Sequence, residues 1–221
     1  MSENTLITLT LAVLITSIAA IEIRAMRTTS FAYLLHSIFL CAIIITYATL
    51  NDNASLYLWA GTCFITKVLL IPWLLFRFIK NVPPIEHKPI IGFALSVAIL
   101  TLLMVVLFAL FRKVIILMAP TSAAQLEPVR SLLAGACTIF CLGLWGLLTR
   151  RDVVKTVIGL ALLENGVHLV LLALAPQLKE TTMIGILTNM VAVVFLLLYL
   201  STQIYHVFGT TDSARLSELK R

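Results

Sequence analysis

Glu164 and His168 stand four residues apart in a mostly apolar stretch of 23 residues, Val153 to Ala175. Four residues is one helical turn, so both side chains share a face. A carboxyl and an imidazole so placed can pass a proton, because imidazole titrates near neutrality and has two ring nitrogens. As a helix the stretch rises about 34 Å, enough to cross a hydrocarbon core of about 30 Å. Glu164 is its twelfth residue. A carboxylate halfway across costs roughly 2.5–3.5 kcal/mol on insertion scales, so its presence implies a proton, an ion or a buried partner. Asn165 lies about 100° further round the helix and is expected to bond a neighbouring helix.

Lys67 is a second polar centre. It is the fourteenth of 26 residues in the apolar run 54–79, too deep to reach an interface easily. A lysine there must be neutral, paired or wet, and its readily shifted pKa suits a switchable charge. The competing reading is an ion pair with a carboxylate of a partner subunit. His36 lies six residues into the run 31–50, close enough to one surface for water to reach it. Glu22, ending the first run, reads as a solvated helix end. Thr188 and Asn189 place polar groups midway along the last run, as helix contacts first and path residues second. The candidate proton path is therefore Glu164, His168, Lys67, His36, Asn165 and Asn189. No catalytic residue and no metal site is expected. Cys41, Cys63, Cys137 and Cys141 fall inside apolar runs as small buried residues, and no haem, iron–sulfur or phosphate-loop spacing is present.

These residues need apolar helices to hold them. The chain is 61% hydrophobic and 12% charged, with a mean hydropathy of +1.07, which marks a multi-pass membrane protein. Apolar runs at 4–23, 31–50, 54–79, 89–111, 131–148, 153–175 and 182–206 predict an all-α bundle of seven spans. The first run has no positive charge before it and no small-residue cleavage site after it, so it is expected to remain as a helix with its N-terminus outside. That orientation puts eleven basic residues inside: Arg24, Arg27, Arg77, Lys80, Lys88, Arg150, Arg151, Lys155, Arg215, Lys220 and Arg221. Four lie outside: Arg112, Lys113, Arg130 and Lys179. The asymmetry predicts N outside and C inside. The net charge of +6 then faces phospholipid headgroups rather than nucleic acid.

The connections are short. Asn51-Asp52-Asn53 reads as a tight turn. Pro72 is expected to kink the third helix and free the carbonyl of Val68. Val82 to Pro89 reads as a stiff polar loop between two groups of helices. Val114 to Met118 lies at the interface or continues the fourth helix outward, and Pro120 ends it. Ala134, Gly135, Ala136, Gly143 and Gly146 give the fifth helix a small-residue surface for close packing. Pro176 ends the sixth. The first and last helix triplets share orientation, which hints only weakly at an internal duplication.

The segment Arg150-Arg151-Asp152-Val153-Val154-Lys155-Thr156-Val157-Ile158-Gly159-Leu160-Ala161-Leu162-Leu163-Glu164-Asn165-Gly166 resembles the small K-type membrane subunit of respiratory complex I. It is similar also to the C-type subunit of multi-subunit cation/proton antiporters. The resemblance covers about residues 131–208. With four helices in front, the whole looks like the hydrogenase-4 component E family, of the formate hydrogenlyase type. It implies an N-terminal four-helix extension (1–130), a K-like three-helix region (131–208) and a polar cytoplasmic tail (209–221). It further implies a non-catalytic inner-membrane subunit without a redox cofactor of its own. The implied partners are antiporter-like membrane subunits and the membrane anchor of a nickel–iron hydrogenase arm. The K-type pattern has a carboxylate directly after Gly-Leu, where this chain has Ala161. Glu164 comes three residues later, about 60° round and about 4.5 Å along the same helix. The second carboxylate of that pattern, in the last helix, is absent, since no acidic residue lies between Thr181 and Thr211. Two other classes fit the composition: a purely structural membrane adaptor and a stand-alone permease.

Overall fold

The computed structural model describes residues 3–82, 92–119, 121–150, 152–178 and 180–209. The expectations for Pro83 to Pro89, Pro120, Arg151, Lys179 and the tail beyond Gly209 lie outside the described residues. Within these, seven helices are long and apolar enough to cross a membrane, and no strand occurs. They are α1 (Glu3–Glu22), α2 (Met26–Asn51), α3 (Ala54–Asn81), α4 (Phe93–Met118), α5 (Val129–Thr149), α6 (Val153–Leu174) and α7 (Glu180–Phe208). One short helical turn, Ser122–Gln125, precedes α5.

One helix begins before its expected start, and another takes the longer of its two expected courses. α2 begins at Met26 rather than residue 31, because the polar residues ahead of the apolar run satisfy themselves on the backbone. Thr29 donates to the Ile23 carbonyl at 2.7 Å and Ser30 to that of Met26 at 3.0 Å. α4 continues unbroken past Arg112 to Met118, with Ile115 buried. The turn after α2 forms as expected. Asp52 takes a left-handed conformation at φ 48°, and Asn53 caps α3 by accepting from the Ser55 backbone. The Asn53 amide also donates to the Pro176 carbonyl, tying this turn to the end of α6.

α1, α2, α5 and α6 form the middle of the bundle, while α4 and α7 lie outside it with most of their surface uncovered. α1 packs against α5, α2 against α6, and α3 against α7. The most extensive pairing is α5 with α6, and glycine makes it possible. A Cβ at Gly143 would stand 2.5 Å from the Leu163 nitrogen, and one at Gly166 would stand 2.7 Å from the Ala136 carbonyl oxygen. Backbone thus meets backbone in both directions, as small-residue membrane interfaces allow. This packing fixes the rotation of α6 and so the direction in which Glu164 points.

The basic end of the bundle is locked by groups that the sequence suggested were solvated. Lys155 is buried, and its three N–H groups are shared among four acceptors: the Ala20 carbonyl at 3.1 Å, the Ile21 carbonyl at 2.9 Å, the Ile23 carbonyl and the Thr29 hydroxyl at 2.8 Å. These carbonyls belong to the last turn of α1 and the residue beyond it. Helix ends leave such acceptors unpaired, and their dipoles favour a cation. Asp152 turns α6 toward them by accepting from the Val154 and Lys155 backbones. Glu22 is also buried. Arg150 donates to its Oε1 at 2.5 Å, and Ser96 of α4 donates to the same oxygen at 3.0 Å. The burial of both residues follows from α6 crossing the α1 terminus, a tertiary contact that periodicity does not reveal. Lys155→Met should destabilise the protein by about 2 kcal/mol or more, since hydrogen bonds to charged groups contribute roughly 1.5–3 kcal/mol each. The check is its thermal midpoint in detergent beside that of Lys155→Arg, which keeps the charge.

At the opposite end Arg112 pairs with Glu127 at 2.5 Å, and Ser131 donates to the other carboxylate oxygen at 2.6 Å. Partial burial raises the Glu127 pKa, but the Ser131 and Arg112 hydrogen bonds outweigh it and hold the carboxyl below its ordinary value. A lowered folded-state pKa contributes stability at pH above the ordinary carboxylate range, which is lost as pH falls through the lowered value. Both side chains are more than a third exposed, so the effect is small. Glu127→Gln should melt slightly below the unsubstituted protein at neutral pH, with the gap closing in acid.

Candidate functional site

The third helix is irregular where its lysine sits. Seven residues, Phe64–Leu70, adopt π-helical turns, and the Ile71 N–H reaches back to the Thr66 carbonyl. π segments insert a wide turn and concentrate at functional sites. This one ends at Leu70, two residues before Pro72, whose missing N–H cannot continue a regular ladder. The expected irregularity at Pro72 therefore takes the form of widened turns ahead of the proline. Their effect is to present Lys67, fully buried, toward α6.

There the ammonium meets three acceptors. Lys67 Nζ lies 2.7 Å from Glu164 Oε2, 2.5 Å from Asn165 Oδ1 and 2.9 Å from His168 Nδ1. An ammonium has three donors and no acceptor, so a charged Lys67 is fully satisfied. The partner carboxylate is on the same chain, which replaces the expectation of one from another subunit. Glu164 is mostly buried, with a side chain 13% exposed, and His168 is almost wholly buried. If Lys67 is the donor, His168 Nδ1 accepts and the imidazole is neutral with its proton on Nε2. That Nε2 lies 3.3 Å from Glu164 Oε1, without the angle of a hydrogen bond. Both atoms are buried and have no protein partner, and the same holds for Asn165 Nδ2. Water is the ordinary ligand of such atoms.

The arrangement has two forms that differ by the position of one proton in a hydrogen bond with an N···O separation of 2.7 Å: an ammonium beside a carboxylate, or an amine beside a carboxylic acid. Low dielectric penalises both charges when separate and favours them as a pair. Proton gain or loss at either group therefore changes the charge of the other's surroundings. This is the chemistry of a relay or switch.

Of the six residues read from the sequence, the structure brings four together: Lys67, Glu164, Asn165 and His168. His36 is not near a surface. The early start of α2 places it eleventh in the helix, wholly buried. Its Nδ1 lies 3.2 Å from the Val13 carbonyl and 3.2 Å from the Ser17 hydroxyl of α1, and its Nε2 has no protein partner. Tyr33, one turn earlier, is buried with its ring 6.3 Å from that of His36. Asn189 is exposed on α7 and does not join the cluster. Sequence reasoning missed Tyr33 and also Trp59, whose ring meets that of His168 edge-on at 5.8 Å. Each is an aromatic in an apolar run, and nothing in its spacing marks it. Among the described residues, no group of three or more His, Cys, Asp or Glu is placed to hold a metal ion.

Comparison with known proteins shows the family. Residues 131–221, which include most of α5 and all of α6 and α7, match the family described as NADH-ubiquinone/plastoquinone oxidoreductase chain 4L. Over 208 residues the chain is 32% identical to hydrogenase-4 component E of Escherichia coli (strain K12), covering 94% of this chain and 93% of that protein. The same identity and coverage hold for the proteins of that name from Escherichia coli O157:H7 and Shigella flexneri. The chain belongs to the hydrogenase-4 component E family. It is a multi-pass inner-membrane protein. No solved structure gives a significant match.

Proposed function

We propose that the chain, as a membrane subunit of a hydrogenase- or complex I-like complex, carries part of a lateral proton path. The observation that supports this most is the Lys67–Glu164 pair, buried near the middle of two spans and surrounded by polar atoms with no protein partner. Glu164 is the proton-exchanging acid, Lys67 its switchable counter-charge, and His168 the relay on the α6 side. Asn165 holds the ammonium in place. His36 of α2, beside Thr16 and Ser17 of α1, and the neighbouring Tyr33 form a second polar group that would continue the path on the α1 side. Asn189, exposed on α7, is a contact toward a neighbouring subunit. The partners in this reading are antiporter-like membrane subunits and the membrane anchor of a nickel–iron hydrogenase arm. The N-terminus faces outward and the basic end faces the cytoplasm, with residues 1–130 extending a K-like core at 131–208.

A purely structural adaptor is the rival reading, in which the buried pair only fastens α3 to α6. Glu164→Gln separates the two. In membrane vesicles that retain the assembled complex, the proton-path reading expects hydrogen turnover to lose its coupled proton uptake by about a hundredfold or more, the lower end for a positioned acid or base. Normal assembly with undiminished proton uptake would leave only the adaptor.

A further inference from the structure

A cavity of about 190 Å³ opens between α3, the α6–α7 turn and the start of α7. It lies at the end of the bundle opposite Glu22 and Arg150. Its wall is mostly apolar, from residues such as Leu56, Leu58, Pro176 and Met183, with the Ser55 and Thr62 hydroxyls and the Trp59 indole as its polar side-chain groups. The volume holds several waters. Ser55 donates to Asn53 Oδ1, and Thr62 donates to the carbonyls of Leu58 and Trp59. Both hydroxyl oxygens therefore keep lone pairs for water. Trp59 belongs to two places at once. It lines the cavity, and its ring edge packs on His168, whose Nδ1 is 2.9 Å from Lys67 Nζ. Trp59 Nε1 and His168 Nε2 are both buried with no partner in the protein. Two orphaned groups on either side of one ring contact, next to a cavity with polar atoms in its wall, are the pattern of an interrupted water file.

We propose that this cavity is the aqueous vestibule of the buried ion pair and that Trp59 is the gate between them. Water in the cavity reaches the indole, and reorientation of the ring lets it bridge to His168 Nε2 and from there to Glu164 Oε1. A proton then passes between vestibule water and the Glu164 carboxyl, and the Lys67 ammonium compensates the charge. Trp59 is a positioning residue, since it neither gains nor loses the proton. The proposal rests on the reading of Glu164 as a proton-exchanging acid.

The test uses the assembled complex in membrane vesicles, with Ser55→Cys and Thr62→Cys as single substitutions. A charged, membrane-impermeant thiol reagent is applied from each side. The unsubstituted chain is the blank for the four native cysteines. Leu69→Cys is the control, since Leu69 is on the same helix and 54% exposed on its outer face. Thiols need water to form the reactive thiolate, so a wet vestibule predicts labelling of both sites about tenfold or more faster than Leu69→Cys, from one side only. Labelling at Thr62→Cys should then slow proton uptake several-fold, and Trp59→Ala should relieve that block more than Trp59→Phe. Labelling no faster than at Leu69→Cys means that lipid or protein fills the cavity, and it overturns the proposal. Fast labelling with unchanged proton uptake overturns it too. Glu164→Gln, measured alongside, separates the two levels. If that variant loses uptake while labelling does nothing, the vestibule is wrong and the proton path stands. If Glu164→Gln keeps full uptake, the vestibule falls together with the path.

Discussion

Glu164→Leu is expected to destabilise the protein by about 3–5 kcal/mol, because it leaves the Lys67 ammonium buried with no counter-charge. Lys67→Met should be somewhat less severe, since either stranded group can neutralise itself but an ordinary carboxyl titrates nearer neutral pH than an ordinary amine. The informative variant is the double one. With both charges gone the desolvation penalty disappears, and the remaining cost comes from Asn165 Oδ1 and His168 Nδ1, which lose a donor. Lys67→Met/Glu164→Leu should therefore be more stable than the sum of the single variants by about 3 kcal/mol, near the upper range for contacting residues. Thermal melts in detergent and the yield of assembled complex measure the stability term. Proton uptake measures a different quantity, and it should stay absent in the double variant even where assembly returns. A strictly additive result would mean that the two side chains do not touch in the membrane.

Gly166→Leu and Gly143→Leu are expected to have the next largest effect. A single Cβ at Gly166 already falls 2.7 Å from both the Ala136 oxygen and the Phe140 nitrogen, and one at Gly143 falls 2.8 Å from the Gly159 oxygen. Those neighbours are backbone and cannot rotate away. Overpacking in a close-fitted interior costs about 1–3 kcal/mol, and more where backbone must move. α6 would have to shift outward or turn, which pulls Glu164 away from Lys67. Alanine at either site should already lower the thermal midpoint and weaken proton uptake. Alanine at Gly61, where a Cβ meets nothing within 4 Å, should leave both unchanged. Equal tolerance at Gly61 and Gly166 would show that α5 and α6 do not pack this closely.

What the sequence carried and what it hid have one physical explanation. Hydropathy over twenty residues reports whether a segment can sit in lipid, so all seven spans were legible and their ends were not. Helix ends depend on local bonds, such as those of Thr29 and Ser30, that hydropathy ignores. Intramembrane charge is costly enough to mark its own site, and for that reason Glu164, His168 and Lys67 stand out against their apolar runs. The sequence does not say which of these face one another. Lys67 and Glu164 are 97 residues apart, and their meeting depends on the π-helical turns of α3 and the rotation of α6 set by its glycines. Lys155 was hidden for a related reason. It lies near a helix start, where a basic residue ordinarily meets headgroups, and only the crossing of α6 under the end of α1 buries it. Trp59 and Tyr33 look like any aromatic in a membrane helix until the ring of one is seen against His168 and that of the other beside His36.

The account depends on the Glu164 carboxyl exchanging its proton while the complex turns over. Infrared difference spectroscopy of the working complex reads this directly through the C=O stretch of a protonated carboxyl. The prediction is a turnover-dependent band that disappears in Glu164→Gln and shifts in Lys67→Met. A difference spectrum identical with and without the Glu164 carboxyl would contradict it, because the acid would then keep one protonation state throughout.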